Sequence, residues 1–174
     1  WTTDLITTEA ASDLRRGGAM AIDNDGNAIV TGSFTKDVEF ASSYLEPIAT
    51  SAFIAKYNKA GKKLWAASLK GAATIGSVTT DAKGNIYATG VFADEVQIVN
   101  KAGETKTTIK GKEGETSQVS AFIVKFTKDG EYVASNTIIP VVDMVHECYS
   151  GADTYFTPGT IKMCGDKVIM SAEY

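Results

Sequence analysis

The stretch DNDGNAIVTGSF at 23–34 gathers two carboxylates and two amide side chains around one glycine. Hard oxygen ligands around a tight turn are what a calcium loop needs, and the same residue types also make a sharp reversal between strands. The twelve-residue calcium pattern would continue through further oxygen ligands to a glutamate, whereas Ala28 to Gly32 follows here. Catalytic chemistry has few other places to start. His146 is the single histidine, beside Glu147 and two positions from Cys148. One histidine cannot build a multi-histidine metal site, and a Cys/His dyad needs a third group to orient the base. The acidic neighbours Asp94 and Glu95 have the chemistry of a glycosidase or lyase pair, but nothing sets them apart from solvated loop charges. RRGG at 15–18 lacks the lysine and the spacing of a phosphate loop. The sequence therefore assigns no catalytic residue, no metal ligand and no cofactor.

The elements that carry these residues repeat. GAMAIDNDGNAIVTGSF at 18–34 matches GSVTTDAKGNIYATGVF at 76–92, aligning Asp23 with Asp81, Gly26 with Gly84, Asn27 with Asn85 and Phe34 with Phe92. Asp25 becomes Lys83 in the second copy, a substitution that a loop holding a cation in both copies would not accept. A Gly-Asn pair between two apolar alternating segments is hairpin chemistry, since glycine supplies the positive φ at the reversal. SAFIAKYNKAGKKLWAASL at 51–69 likewise matches SAFIVKFTKDGEYVASNTI at 120–138. Each copy reads as four short strands: 18–23, 28–34, 52–58 and 63–69, then 76–81, 86–92, 121–127 and 132–138. Gly26, Gly61, Gly84 and Gly130 sit in the turns. GTIKMCGDKVIMSAEY at 159–174 reads as the first two strands of a third copy, and WTTDL at 1–5 resembles the fourth strand WAASL at 65–69. The only helix-like stretch, TEAASDLRR, is covered by a single turn or a loop.

Composition excludes several partners. With 174 residues, 44% hydrophobic and 22% charged, the chain can bury a real core. Net charge is −4 with no long run of like charges, which argues against nucleic acid and against an anionic membrane surface. No apolar run is long enough to cross a membrane as a helix, and the first residues lack the plan of a signal peptide.

Tandem four-stranded antiparallel units of this length predict an all-β chain, a β-propeller of consecutive blades. About three blades are represented: an outer strand at 1–6, blades at 17–71 and 74–140, and the first two strands of another at 155–174. Open edges would aggregate, so further blades from the same longer chain are expected to complete a larger ring. The segments AIDNDGNAIVTGSF, VEF and SAFIAKYNKAGKKLWAASL, and again TTDAKGNIYATGVF, VQI and SAFIVKFTKDG, resemble the bacterial β-propeller repeat family called SBBP, with NHL and quinoprotein-like propellers as near relatives. The resemblance covers most of residues 17–138 and implies a secreted bacterial protein, extracellular, periplasmic or on the cell surface. TIKMCGDKVIM departs from the pattern, lacking the Asp and the Gly-Asn turn.

Topology puts the glycine turns on one face and the long connections 35–50, 93–119 and 139–158 on the other. The glycine-turn face is expected to offer little to bind with. Recognition is expected on the loop-rich face, with Tyr44, Glu46, His146, Tyr149 and Tyr155 as candidate ligand-binding residues for a glycan or a protein. The same aromatics would equally pack the loops onto the blade tops. Cys148 and Cys164 allow one disulfide, worth roughly 3 kcal/mol by chain entropy, or remain two buried thiols. The functional expectation is a non-catalytic exported scaffold. Two rival readings stay open: part of a propeller enzyme, such as a quinoprotein-like oxidoreductase or a polysaccharide lyase with its site over the channel, and a structural spacer in a surface protein.

Overall fold

A computed structural model describes residues 6–7, 14–35, 38–40, 43–45, 50–111, 119–138, 157–165 and 167–173, and every regular element among them is a β-strand. The first complete unit consists of β2 (Leu14–Ile22), β3 (Ala28–Phe34), β6 (Ser51–Tyr57) and β7 (Lys63–Lys70), each antiparallel to the next. The second consists of β8 (Ala73–Thr80), β9 (Ile86–Ala93), β12 (Val119–Phe126) and β13 (Tyr132–Ile138), paired in the same order. A final hairpin joins β14 (Thr157–Cys164) to β15 (Lys167–Glu173) and packs on β8 and β9. β3 and β6 are buried along almost their whole length, which is why AIVTGSF and SAFIAKY are apolar or small at nearly every position rather than alternating.

Two sequence expectations change. The first strand starts at Leu14 rather than at 18, because the chain runs alongside β3 as far as the pair Leu14–Phe34, with two bulges taking up the extra residues. Leu14 to Arg16, expected in a turn or loop, therefore lies in a strand. More consequentially, the connections 35–50 and 93–119 are not simply loops. The first contains β4 (Val38–Phe40) and β5 (Ser43–Leu45); the second contains β10 (Glu95–Val99) and β11 (Thr105–Lys110). β10 leaves its own unit and pairs with β7, so that the first unit's sheet runs β11-β10-β7-β6-β3-β2, six strands in place of four. β4 does the same with β1 (Ile6–Thr7). Gly71 permits the approach of β10: at φ 138° it has no Cβ, and one would stand 2.5 Å from the Glu95 carbonyl oxygen.

The core lies between the two units. Ile29, Ile54, Trp65 and Leu69 of the first meet Ile75, Ile86, Phe92, Val96, Ile98, Phe122 and Phe126 of the second and of its exported hairpin. Burying each large side chain contributes roughly 1.5–3 kcal/mol. Phe34, Phe53, Ala55, Tyr57 and Ala66 form a smaller cluster on the opposite side of the first unit. Burial pushes the Tyr57 hydroxyl up to about 12, so it stays protonated. The arrangement is β-propeller-like: successive antiparallel units stacked face to face, with β2 and β8 as neighbouring inner strands.

Candidate functional site

Five hairpin turns share one construction. They begin at Asp23, Asn58, Asp81, Asn100 and Thr127, and in each the side-chain oxygen of that residue accepts the backbone N–H groups two and four positions later, at 2.8–3.3 Å. The glycine three positions on has φ between 78° and 85°, and its N–H donates to the first residue's carbonyl at 2.8–3.0 Å. These glycines are the sequence's turn glycines, with Gly103 added. The fifth turn, NKAGE at 100–104, was visible in the sequence as a near copy of NKAGK at 58–62. The turns belong to one face and touch across units: the Asn24 side-chain amide donates to the Ala82 carbonyl at 3.1 Å, and Lys101 N–H to the Gly130 carbonyl.

The same geometry decides the question raised by DNDGN. Asp23 is buried, and its Oδ1 is occupied by the two turn N–H groups while Oδ2 accepts the Asn27 side-chain amide at 2.9 Å and the Lys56 ammonium at 2.9 Å. A lysine ammonium thus stands where a bound cation would have to be. Burial alone would raise the Asp23 carboxyl, but the hydrogen bonds from Lys56 and Asn27 outweigh it and bring the pKa down to about 2. Asp81 spends its oxygens in the same way on the N–H groups of Lys83 and Asn85, the Asn85 amide and the Tyr87 hydroxyl. Among the described residues no three His, Cys, Asp or Glu side chains converge as a metal site.

Lys56 does more than neutralise Asp23. Its Nζ also donates to the Lys128 carbonyl oxygen of the next unit at 3.0 Å, and the Trp65 indole N–H donates to that same oxygen at 3.1 Å. The Trp65 ring lies against Gly130, where an added Cβ would come within 2.7 Å of the indole. Phe126 packs beside the indole, its ring centroid 6.5 Å from that of Trp65 and 6.3 Å from that of Tyr132. This junction floors a cleft of about 300 Å³ walled by Asp25, Asn27, Leu64, Lys101, Lys128 and Asp129. The glycine-turn face, expected to offer little, therefore carries a cleft with Lys56 and Trp65 at its base and charges of both signs at its rim. At its rim Lys101 pairs with Glu131 at 3.3 Å and Lys128 with Asp129 at 3.5 Å, all of them exposed side chains. Such exposed pairs are worth about 0–1 kcal/mol.

The candidates expected on the loop-rich face are described only in part. Tyr44 lies in β5, paired through its backbone with Glu39 of β4, so it belongs to a strand and not to a loop. Glu46, His146, Glu147, Cys148, Tyr149 and Tyr155 lie outside the described residues. Cys164 carries an exposed thiol at the end of β14, not a buried one. Asp94 and Glu95 turn the chain into β10: Asp94 adopts φ 59°, and its carbonyl accepts Gly111 N–H at 2.8 Å, a structural task for the first of the pair. The described part of that face carries a shallow apolar depression of about 240 Å³, lined by Thr50, Ala72, Ala73, Thr74, Val91, Phe92 and Ala93.

No protein-family model matches the chain. An uncharacterized WD repeat-containing protein of Acanthamoeba polyphaga mimivirus is 41% identical over 93 residues, an alignment covering 44% of this chain and 7% of that protein. The chain thus spans a small fraction of the relative it matches. The likeness is to a repeat protein and agrees with the β-propeller-like stacking of the two units.

Proposed function

We propose that the chain is an interaction scaffold whose partner is a protein, engaged at the cleft on the glycine-turn face. The observation that carries the reading is the cleft's construction: Lys56 and Trp65 at its base, both bonded to the Lys128 carbonyl, beneath an exposed Leu64 and an exposed Lys128 ammonium whose pair with Asp129 is a weak surface one. A ligand carboxylate can take Lys128 from Asp129 at little cost, while the exposed Leu64 offers apolar contact beside it. That pairing of charge and apolar surface fits an acidic peptide segment better than a sugar, which would want an open aromatic face. Trp65 is only 6% exposed and its indole N–H is already used. The WD repeat relative supports a repeat scaffold and says nothing of its partner. The repeat pattern resembles exported bacterial propellers whereas the matched relative is viral, so the reading rests on geometry and not on a compartment.

A peptide library displayed on phage and selected against the chain tests this directly. Acidic peptides carrying an apolar residue should be enriched, and Lys128→Glu should weaken the winners at least tenfold. Loss confined to His146→Ala or Tyr149→Ala would move the site to the loop-rich face. Binding on a glycan array with no peptide enrichment would replace the protein partner with a carbohydrate.

A further inference from the structure

Each of two hairpins in this fold pairs with the outer strand of the unit before it, and both do so in one register. β10 meets β7 through Gln97 opposite Lys70, Ile98 opposite Leu69 and Val99 opposite Ser68. β4 meets β1 through Glu39 opposite Ile6 and Val38 opposite Thr7. In the repeat alignment VEF at 38–40 corresponds to VQI at 96–98, and WTTDLI at 1–6 to WAASLK at 65–70. Glu39–Ile6 and Gln97–Lys70 are therefore the same pair in two places. A repeated register is a built feature, because a shift of one residue would turn the buried Val96 and Ile98 away from the core.

β13 is the equivalent of β7, with Thr137 and Ile138 standing where Ser68 and Leu69 stand. The two strands begin alike, Leu64 45% and Val133 46% exposed, and then diverge. β7 is buried from Trp65 to Leu69, whereas in β13 Ala134 and Asn136 are exposed and Ser135, Thr137 and Ile138 only half-buried. Among the described residues nothing pairs with the outer edge of β13. We infer that this edge is the docking site of a β-hairpin of the same V-x-[FI] pattern, supplied by a further repeat unit. Thr137 and Ile138 form its ladder, as Ser68 and Leu69 do for β10. The units are then linked by strand exchange as well as by face packing, each sealing the edge of the one before it. This inference does not depend on the turn-face reading.

The test extends the chain after Tyr174 with a second copy of residues 93–111, the position at which β9 leads into β10. Hydrogen exchange is then followed at Asn136, Thr137 and Ile138. The expected result is at least tenfold slower exchange at whichever of these amides point away from β12, absent when the appended copy carries Ile98→Pro. Should the extended chain not fold, the original chain with a synthetic peptide of residues 94–111 gives the same readout. Unchanged exchange in both formats overturns the inference. So does slow exchange already present in the unextended chain: if it is independent of concentration another segment covers the edge, and if it grows with concentration alongside a dimer mass the occupant is a second copy.

Discussion

The two complete units solve one problem in different ways, and the contrast lies in a single row of side chains across three strands. In the first the row reads Ile29, Lys56, Trp65; in the second it reads Tyr87, Lys125, Ala134, each residue directly opposite its neighbour in the sheet. Both rows place one aromatic beside a lysine, on opposite sides of it. Where the aromatic is Trp65, on the outer strand, the lysine turns inward, pairs with Asp23 and reaches the next unit's Lys128 carbonyl. Where it is Tyr87, the hydroxyl takes the Asp81 carboxylate and Lys125 lies over the ring, 4.8 Å from its centroid. The turns themselves are alike in both units. What differs is whether the lysine is spent on the junction between units or on its own sheet.

Removing the acid should separate the two most sharply. Asp23→Asn leaves a buried ammonium facing an amide N–H₂, and breaking one side of a buried pair costs about 3–5 kcal/mol. Asp81→Asn meets no ammonium: besides the Asn85 amide, whose counterpart at position 23 is Asn27, it faces a tyrosine hydroxyl that can reverse its hydrogen bond, and should cost about 1–2 kcal/mol. Urea unfolding of both variants checks this, and equal losses would dismiss the ion pair as a junction element. The same carboxyl sets an acid limit. Its folded pKa of about 2 lies below the unfolded value of 3.8, so its stabilisation is complete above the unfolded value and is lost as the pH falls from about 4 through 2. The loss is about 2 kcal/mol, from a shift of nearly two pKa units. In Asp23→Asn that portion of the acid dependence should vanish from the urea midpoint.

A second contrast separates the junction from ordinary turn geometry. Gly103 has φ 79° with nothing within 4 Å of a Cβ, so Gly103→Ala should cost only the left-handed backbone, about 1–2 kcal/mol. Gly130 has φ 85° and the Trp65 ring beneath it, and Gly130→Ala should cost about 1–3 kcal/mol more, as overpacking does. Trp65→Ala in the same chain should erase most of that excess. If it does not, the indole is not what holds the Lys128 turn.

These differences explain what could be read in advance. The repeat, the strands and four turn glycines leave marks in the sequence, because a positive φ and a buried two-faced strand each restrict which residues are tolerated. AFIAKY and AFIVKF give no sign that one lysine is buried and the other laid on a ring, since the deciding residues sit on neighbouring strands at Ile29/Tyr87 and Trp65/Ala134. The exported hairpins were equally hard to see. VEF and VQI are three-residue matches, and nothing local says that their partner is a strand of another unit. The cleft followed from both, for it exists only where Trp65 and the Lys128 turn meet.

The smallest effect tests the second unit on its own terms. Tyr87→Phe keeps the ring under Lys125 and removes only the 3.3 Å hydrogen bond to Asp81, which retains its other donors. A loss of about 0.5–1 kcal/mol is expected. Tyr87→Ile recreates the residue found at position 29 and also removes the cation–π contact, which is worth roughly another 0.5–1 kcal/mol at a partly exposed site. The informative outcome is where the lysine then goes. With Ile at 87, Lys125 has the first unit's inner neighbour but still lacks a tryptophan at 134 and a following turn carbonyl like that of Lys128. A folded Tyr87→Ile chain in which the Lys125 ammonium approaches Asp81, seen as a new cross-peak between the two side chains by NMR, would show that the tyrosine alone diverts it. An ammonium that stays in solvent would show that the inward lysine needs the neighbouring unit, making Lys56 a consequence of the junction and not its cause.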